Sequence, residues 1–226
     1  MENQKFIIAI DGPAGSGKST TARLVANSIS AIYIDTGAMY RVVTLAALRK
    51  GICNNPDEII AVLDKITIRL EPSEDGQRTF LNEEDVSKDI RSAEVTAAVS
   101  FVSSLPEVRR RLVAMQREFA RQKSVVMDGR DIGTVVFPGA DLKIYMTASI
   151  GDRAVRRAAE IEASGQKVDV DDIIRALEER DRLDQSRRES PLRKAEDAVE
   201  INTSGLSIAE QAQKIITLLE EKNLRS

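Results

Sequence analysis

Histidine is absent from this chain of 226 residues, and cysteine occurs only once, as Cys53. Without an imidazole base, the chain cannot form the serine–histidine or cysteine–histidine pairs of the common hydrolases. A single cysteine excludes a disulfide within the chain and makes a cysteine-rich zinc cluster implausible. We therefore interpret Cys53 as a small, partly buried side chain without a chemical role.

Long apolar runs and an excess of basic residues are also lacking. No stretch approaches the roughly 18 consecutive apolar residues of a membrane-spanning helix, and the N-terminus has no basic region followed by a long apolar one. The net charge is −3 and the pI is about 5.3, which disfavours binding to nucleic acid. These features predict one soluble, cytoplasmic globular unit with room for an inserted lobe, and neither a membrane nor a nucleic acid as partner.

The most informative stretch is residues 6–20. A short apolar run is followed by a glycine-rich turn that fits the pattern G-x-x-x-x-G-K-[ST] and opens a helix at Lys18. Glycines let several backbone N–H groups point at one anion, the helix start adds the positive end of its dipole, and Lys18 adds a full charge. Ser19 offers a hydroxyl to Mg²⁺. The stretch predicts a nucleoside triphosphate site formed by Gly12, Pro13, Ala14, Gly15, Ser16, Gly17, Lys18, Ser19 and Thr20. A glycine-rich turn that binds nothing is the alternative, which the strand–turn–helix context disfavours.

Apolar runs alternate with helical patterns along most of the chain. The predicted strands are residues 6–10, 32–34, 124–127, 142–146 and 198–201. The predicted helices are residues 20–28, 38–50, 106–122, 151–164 and 171–188, with a short helix from Pro56 and a final one opened by a Ser207–Glu210 capping box. This alternation predicts an α/β fold, with a mostly parallel sheet and helices on both faces.

A segment of different character interrupts this alternation. Ile66, Ile68 and Leu70 alternate with polar residues, a turn is predicted at residues 72–76, and a strand returns at 78–81. This pattern predicts a small antiparallel patch. We expect a single domain with a core at residues 1–61, 101–150 and 189–226, an insert at 62–100 and a lid at 151–188.

Charged residues directly follow two of the predicted strands. Asp35 follows one strand, with Arg41 shortly after it, and Asp128 and Arg130 follow another. Ligands of open α/β sheets bind at the carboxyl ends of strands, and an aspartate in this position is a common Mg²⁺ partner in nucleoside-triphosphate enzymes. Asp128 is therefore the candidate metal residue beside Ser19, with a cap or turn role as the alternative. Arg41 and Arg130 together can hold a second phosphate, which favours a phosphorylated acceptor.

Arginines are concentrated on the two helices predicted within residues 151–188. One face of the second helix begins apolar and becomes charged, and carries Ile173, Leu177, Arg180, Asp184 and Arg187. The preceding helix carries Arg153, Arg156 and Arg157. We favour a lid that neutralises phosphate charge and excludes water over a solvated helix with many ion pairs. Of the three consecutive arginines at 109–111, we expect one to point at the cleft.

Three segments taken together resemble the bacterial cytidylate kinase family. They are GPAGSGKST at residues 12–20, DTGAMYR at 35–41 and DGRDIGTVVFP at 128–138. A fourth segment, RDRLDQSR at 180–187, resembles the lid of that family. The likeness keeps the same order and spacing from about residue 6 to about residue 220. Many enzymes share the first segment, whereas the second and third together are specific to the family.

The resemblance implies transfer of the γ-phosphoryl group of ATP to CMP or dCMP, with Mg²⁺ as cofactor. It implies a P-loop NTPase-type core with a five-stranded parallel sheet, an inserted monophosphate-binding lobe and a closing, arginine-rich helical lid. Because a closing enzyme of this size can work as a monomer, we expect a monomer. By matched position it implies an acceptor site made of Thr36, Arg41, Ser100, Arg109, Arg130, Asp131, Asp184 and Arg187. Within that site, the cytosine ring would meet Ser100 and Arg109. It also implies catalytic roles for Lys18, Arg130, Arg180 and Arg187, and contacts with the ATP phosphates from Arg153 and Arg157.

Three other interpretations stay open on the sequence alone. A P-loop kinase for another monophosphate, a sugar or an acid would differ mainly in its acceptor lobe. A nucleotide-dependent switch is disfavoured because the sequence has no Asn/Thr-Lys-x-Asp segment that would read guanine. A nucleic-acid-binding module is disfavoured by the low pI and by acidic residues among the basic ones of the lid, Glu178, Glu179, Asp181 and Asp184.

Overall fold

A five-stranded parallel sheet lies at the centre of the computed structural model, which describes residues 5–73, 76–121, 123–163, 165 and 167–223. Its strands are β1 (Ile7–Asp11), β2 (Ile32–Asp35), β6 (Val125–Gly129), β7 (Leu142–Thr147) and β8 (Val199–Asn202). They lie in the order β2-β6-β1-β7-β8, and each neighbouring pair is parallel. The predicted α/β fold with a five-stranded parallel sheet is confirmed.

Helices cover both faces of this sheet. They are α1 (Lys18–Ser28), α2 (Thr36–Arg49), α3 (Pro56–Leu63), α4 (Ala93–Val102), α5 (Pro106–Phe119), α6 (Ile150–Glu162), α7 (Val170–Ser186) and α8 (Ile208–Asn223). On one face, Val25 of α1 and Ile215 of α8 pack with Ile8 of β1. On the other face, Val113 of α5 packs with Ala9 of β1. Because the sheet is buried on both sides, its strands are continuous apolar runs.

Local capping decides where several helices begin. Asp35 caps α2, and its Oδ1 accepts a hydrogen bond from the Ala38 N–H at 3.0 Å, so α2 begins two residues before the predicted start at Ala38. α5 begins at Pro106 as predicted, and the Ser207–Glu210 capping box is present, with the Ser207 N–H donating to Glu210 Oε2 at 2.8 Å. The predicted helix ends at residues 122 and 164 lie outside the described residues, as does part of the predicted turn, residues 74–75.

The insert contains the predicted antiparallel patch. Its strands are β3 (Ile68–Ser73), β4 (Gly76–Leu81) and β5 (Glu84–Asp85), in that order. The prediction of a turn that starts at Pro72 was wrong, because Pro72 still pairs with Gln77 inside β3. A strand at the edge of a sheet tolerates proline, since the missing N–H is not needed by a second neighbour.

Three helical segments escaped the sequence analysis. They are α4, a 3₁₀ turn at Asp89–Arg91 and a π-helical turn at Ile132–Val136. Val95, Val99 and Val102 of α4 are buried at helical spacing, and Ser92 Oγ caps the helix by accepting from the Val95 N–H at 3.3 Å. These valines share one hydrophobic cluster with α2, so tertiary packing overrides their preference for strands. Across the described ranges, no helix is long and apolar enough to cross a membrane.

Candidate active site

The phosphate loop joins β1 to α1 with the backbone shape that its glycines permit. Gly12 has a φ of 149°, and a Cβ there would collide with the Met146 carbonyl oxygen. Gly17 has a φ of 88° at the N-cap of α1, a conformation that side chains with a Cβ disfavour. No side chain of the described residues caps α1, so its first N–H groups can donate to an anion. Ser19 and Thr20 are exposed at this helix start.

Lys18 is buried beneath the phosphate loop. Its Nζ donates to the Pro13 carbonyl oxygen at 2.7 Å and to Ser16 Oγ at 3.4 Å. Burial lowers the pKa of Lys18 to about 7, and the nearby Arg130 guanidinium adds to this effect. The ammonium group therefore lacks sufficient negative charge around it, which the phosphates of a nucleotide would supply.

Ser19 and Asp128, the two predicted metal residues, are in contact although they are far apart in the chain. Ser19 Oγ donates to Asp128 Oδ2 at 2.8 Å, and the Tyr33 hydroxyl donates to Asp128 Oδ1 at 2.9 Å. Burial raises the pKa of Asp128 to about 6, and the negative charge of Asp35 raises it further. A cation next to this carboxylate would therefore be stabilising.

The donor set around Asp128 fits Mg²⁺. A hydroxyl and a carboxylate are the hard oxygen ligands that this ion prefers, and Mg²⁺ usually takes only one or two carboxylates besides water and substrate phosphates. Among the described residues, no group of three or more histidine, cysteine, aspartate or glutamate side chains could hold a metal ion by itself. Ser19 and Asp128 would thus form part of a site that a bound triphosphate completes.

Several guanidinium groups lie close enough together to lower one another's pKa. Burial and the charge of Arg130 lower the pKa of Arg180 to about 9. Burial also lowers the pKa of Arg41 to about 10, and among the cations that contribute are Arg157 and Arg130. The Arg180 Nε is buried and has no hydrogen-bond partner in the described part of the chain. Cations held this close need an anion, and phosphate is the usual one.

Asp184 is the carboxylate that holds part of this cluster together. It is 2% exposed, accepts a hydrogen bond from Arg130 Nε at 2.8 Å and forms an ion pair with Arg187. Although burial opposes its charge, Arg130 and Arg187 hold the pKa of Asp184 below its ordinary value. Helix α7 thereby contacts the strand end that carries Arg130.

A second group of polar residues lies around the C-terminal end of α4 and the start of α5. Arg109 forms a buried ion pair with Asp131, donates from Nη1 to the Ser103 carbonyl oxygen at 3.0 Å and lies over the Tyr40 ring at 5.2 Å. Arg187 Nη2 donates to Ser103 Oγ at 2.9 Å. This group combines donors, acceptors and an aromatic face, which are the features that recognise a planar heterocycle.

The other residues predicted for the acceptor site make contacts next to these two groups. Thr36 Oγ1 donates to the Asp128 carbonyl oxygen at 2.8 Å, and Arg41 Nη1 donates to Thr96 Oγ1 at 2.9 Å. Ser100 is half-buried on α4, and its carbonyl oxygen accepts from Ser103 Oγ at 3.2 Å. Of the arginines at 109–111, Arg109 points inward, whereas Arg110 and Arg111 pair with Glu107.

The two predicted donor-side arginines of α6 differ in environment. Arg153 is buried, and its Nη1 contacts the Ala14 carbonyl oxygen of the phosphate loop at 3.1 Å and Asp181 Oδ2 at 2.6 Å. Arg157 is partly exposed and pairs with Glu160 at 2.8 Å. Arg153 therefore stabilises the phosphate loop through the Ala14 carbonyl oxygen. The side chain of Arg157 is the more exposed to solvent of the two.

The structure adds residues that sequence analysis missed. Tyr33 contacts Asp128, Thr96 contacts Arg41, Ser103 contacts Arg187, and Asp11 accepts two backbone hydrogen bonds near Asp131. Asp11 did carry a signal, because it is an aspartate that ends an apolar strand, as Asp128 does. The other three are ordinary residues of strands and helices, and no motif marks them.

Residues 8–221 match the family model of cytidylate kinase. The chain is 50% identical over 216 residues to a cytidylate kinase of Leuconostoc mesenteroides, which covers 95% of this chain and 96% of that protein. It is 45% identical over 224 residues to a cytidylate kinase of Oceanobacillus iheyensis, which covers 99% of this chain and 97% of that protein.

Solved structures of other proteins share the fold. A shikimate kinase from Acinetobacter baumannii, solved in complex with shikimate, superposes with a TM-score of 0.50 at 14% sequence identity, and the match covers 98% of this chain and 96% of that chain. At this level of identity the likeness concerns the fold alone.

Proposed function

This chain belongs to the cytidylate kinase family and its activity is the phosphorylation of CMP and dCMP, and we propose that ATP on the phosphate loop is the phosphoryl donor. The position of Arg130 carries this assignment. Burial is the largest cause of the lowered pKa of Lys18 on the donor side and of Arg41 on the acceptor side, and the charge of Arg130 adds to both. Arg130 thus lies within electrostatic range of both sites, where a phosphoryl group in transfer would be held.

We assign the acceptor nucleotide to the pocket between the insert and α7. Arg41 and Arg130 bind its phosphate, and the group around Arg109, Asp131 and Ser100 contacts the cytosine ring. Asp184 and Arg187 bind the sugar when α7 packs over the pocket, and Thr36 lines its floor. These roles are supported by the burial and hydrogen bonds of the same side chains.

Transfer in this site is an in-line displacement. An oxygen of the CMP phosphate forms a bond with the γ-phosphorus of ATP, while the bond from that phosphorus to the β,γ-bridging oxygen breaks and ADP leaves. The protein contributes position and positive charge, which Lys18, Arg130, Arg180 and Arg187 supply. This explains how a chain without histidine catalyses the reaction, since no strong general base is needed.

Mg²⁺ completes the proposed donor site. Ser19 and Asp128 would hold it, and the ion would neutralise charge on the phosphate oxygens of ATP. The phosphate loop residues Gly12 to Thr20 surround the triphosphate, with Arg157 as an additional contact and Arg153 as support for the loop.

We further propose that the protein works in the cytoplasm as a monomer. Residues 62–100 act as the monophosphate-binding lobe and residues 151–188 as the lid of a single kinase domain. Family membership leaves no reason to retain the switch or the nucleic-acid-binding module, while selectivity among pyrimidine monophosphates depends on the few hydrogen bonds around Arg109.

The acceptor preference can be measured directly as ADP formation from ATP and Mg²⁺. We expect rapid turnover with CMP and dCMP, slower turnover with UMP, and little with AMP, GMP, dTMP or no acceptor. The physical reason is that a pocket built to hydrogen-bond one ring leaves buried polar groups unpaired with another. Equal turnover with CMP and AMP would contradict the ring contacts proposed for Arg109 and Asp131.

Replacing Asp128 tests the proposed metal site. We expect Asp128→Asn to raise the Mg²⁺ concentration for half-maximal activity by about tenfold or more, because a neutral amide attracts the cation less than a carboxylate. Calorimetry should show weaker binding of MgATP, with metal-free ATP bound as in the wild type. The control is Asp57→Asn, at the exposed start of α3, which should change neither value. An unchanged Mg²⁺ dependence in Asp128→Asn would place the metal elsewhere.

A further inference from the structure

Asp11 is a buried carboxylate that the proposed reaction does not use. It is the last residue of β1, directly before the phosphate loop, and it is 4% exposed. Its Oδ1 accepts the Ile132 N–H at 2.8 Å, and its Oδ2 accepts the Gly133 N–H at 2.7 Å. Both oxygens are therefore occupied by the backbone of the segment that follows Arg130 and Asp131.

This segment needs a hydrogen-bond acceptor from outside. Ile132 and Gly133 begin the π-helical turn, and the first N–H groups of a helix have no partner within it. The residue at the N-cap position, Asp131, usually would satisfy such groups with its side chain. Here Asp131 makes no such cap, because its carboxylate pairs with Arg109 in the acceptor pocket.

We propose that Asp11 is a positioning residue that caps the turn at Ile132 in place of Asp131, and so leaves the Asp131 carboxylate free for the acceptor pocket. This inference rests on the proposed role of Arg130 and Asp131 in binding CMP. The cap fixes the backbone on which both side chains stand. It also joins the strand that begins the donor loop to the segment that binds the acceptor.

The arrangement costs stability, which argues that it serves the site. Burial raises the pKa of Asp11 to about 7, and the two backbone N–H groups only partly offset this effect. An apolar residue at the end of β1 would avoid the cost of a buried charge. A carboxylate is nevertheless the side chain that can accept both N–H groups at once through its two oxygens.

The test is Asp11→Asn, which keeps the size of the side chain. An amide has one acceptor oxygen, and its NH₂ group would face the second backbone N–H. We expect the KM for CMP to rise at least tenfold, with the KM for ATP and the calorimetric affinity for ATP within about twofold of the wild type. A side chain that merely supported the fold would not separate the two substrates.

A matched control lies at the opposite end of the same strand. Asp141 Oδ2 accepts the Ile7 N–H at 2.7 Å, so Asp141→Ala removes a bond from a carboxylate to the backbone far from the pocket. We expect Asp141→Ala to lower the melting temperature and to leave both KM values unchanged. If Asp11→Asn leaves both KM values unchanged, or raises both equally, the inference is overturned.

Hydrogen exchange on the wild-type chain covers the case in which Asp11→Asn does not fold. The amides of Ile132 and Gly133 should be protected before any nucleotide is added, and rapid exchange at both would overturn the cap. A wild-type protein that does not turn over CMP would instead overturn the proposed function, and with it this inference. Turnover of CMP with no change in Asp11→Asn would overturn the inference alone.

Discussion

Replacing Arg180 by methionine is expected to lower kcat with CMP by about 10³-fold or more, the scale of an arginine that stabilises charge in phosphoryl transfer. Arg182→Met, on the same helix α7, is expected to stay within about twofold of the wild type, because exposed ion pairs contribute little. The two variants remove the same charge and keep a comparable apolar stem, so the pair isolates the effect of position.

The reason for the difference is visible in the surroundings of the two side chains. Arg180 is half-buried, its Nε is buried, and burial together with Arg130 lowers its pKa. The charged form of Arg180 should therefore be stabilised strongly when phosphate groups bind between the donor and acceptor sites. The Arg182 side chain is 64% exposed and pairs with Glu179 on its own helix.

Steady-state rates at saturating ATP and CMP would measure the effect, with melting temperatures to confirm that both variants are folded. We expect the KM values of Arg180→Met to change far less than its kcat, since the charge matters most in the transition state. A kcat of Arg180→Met within tenfold of the wild type would remove Arg180 from the proposed catalytic set.

Lys18→Met is expected to lower kcat by about 10² to 10³-fold, the range seen when one preorganised donor to developing charge is removed. Its Nζ now contacts Pro13 and Ser16 of the loop, and the phosphates of ATP would offer it the negative charge it lacks. Methionine keeps the length and apolar volume of the lysine stem, so the loop itself should keep its shape.

Single-turnover rates with excess enzyme would separate this loss from changes in product release. The matched control is Lys50→Met at the exposed end of α2, which should behave as the wild type. If Lys18→Met lost ATP affinity while its single-turnover rate stayed unchanged, Lys18 would be a binding residue without a role in the transfer step.

The two predictions concern opposite sides of one electrostatic arrangement. Lys18 lies on the phosphate loop and Arg180 on α7, while burial and the charge of Arg130 lower the pKa of both. Asp184 offsets part of this charge through its contacts with Arg130 and Arg187. This group of residues therefore holds more positive charge than its own carboxylates neutralise, and bound phosphate groups would supply the remainder.

Much of the fold could be predicted because its signals are local. The strand at residues 6–10, the glycine turn and the helix that starts at Lys18 are contiguous, and backbone geometry ties each residue type to its place. Pro106 and the Ser207–Glu210 capping box likewise mark helix starts through groups only a few residues apart. The alternation of strands and helices was enough to indicate a parallel sheet.

Predictions failed where packing overrides local preference. No element was predicted for α4, whose valines favour a strand by themselves and are helical because one face is buried against α2. Pro72 indicated a turn, yet it lies in β3 because that strand is at the edge of its sheet. In both cases the deciding neighbours come from elsewhere in the chain.

The sequence by itself determined the phosphate loop, the sheet and the residue types that bind phosphate. Only the tertiary structure decided which side chains support them. Asp11 meets Ile132 across 121 residues of chain, and Tyr33 meets Asp128 across 95. Such contacts arise because parallel strands bring distant segments to one edge of the sheet. No spacing rule within the sequence encodes them, since hydrogen-bond partners in a folded protein are set by distance in space.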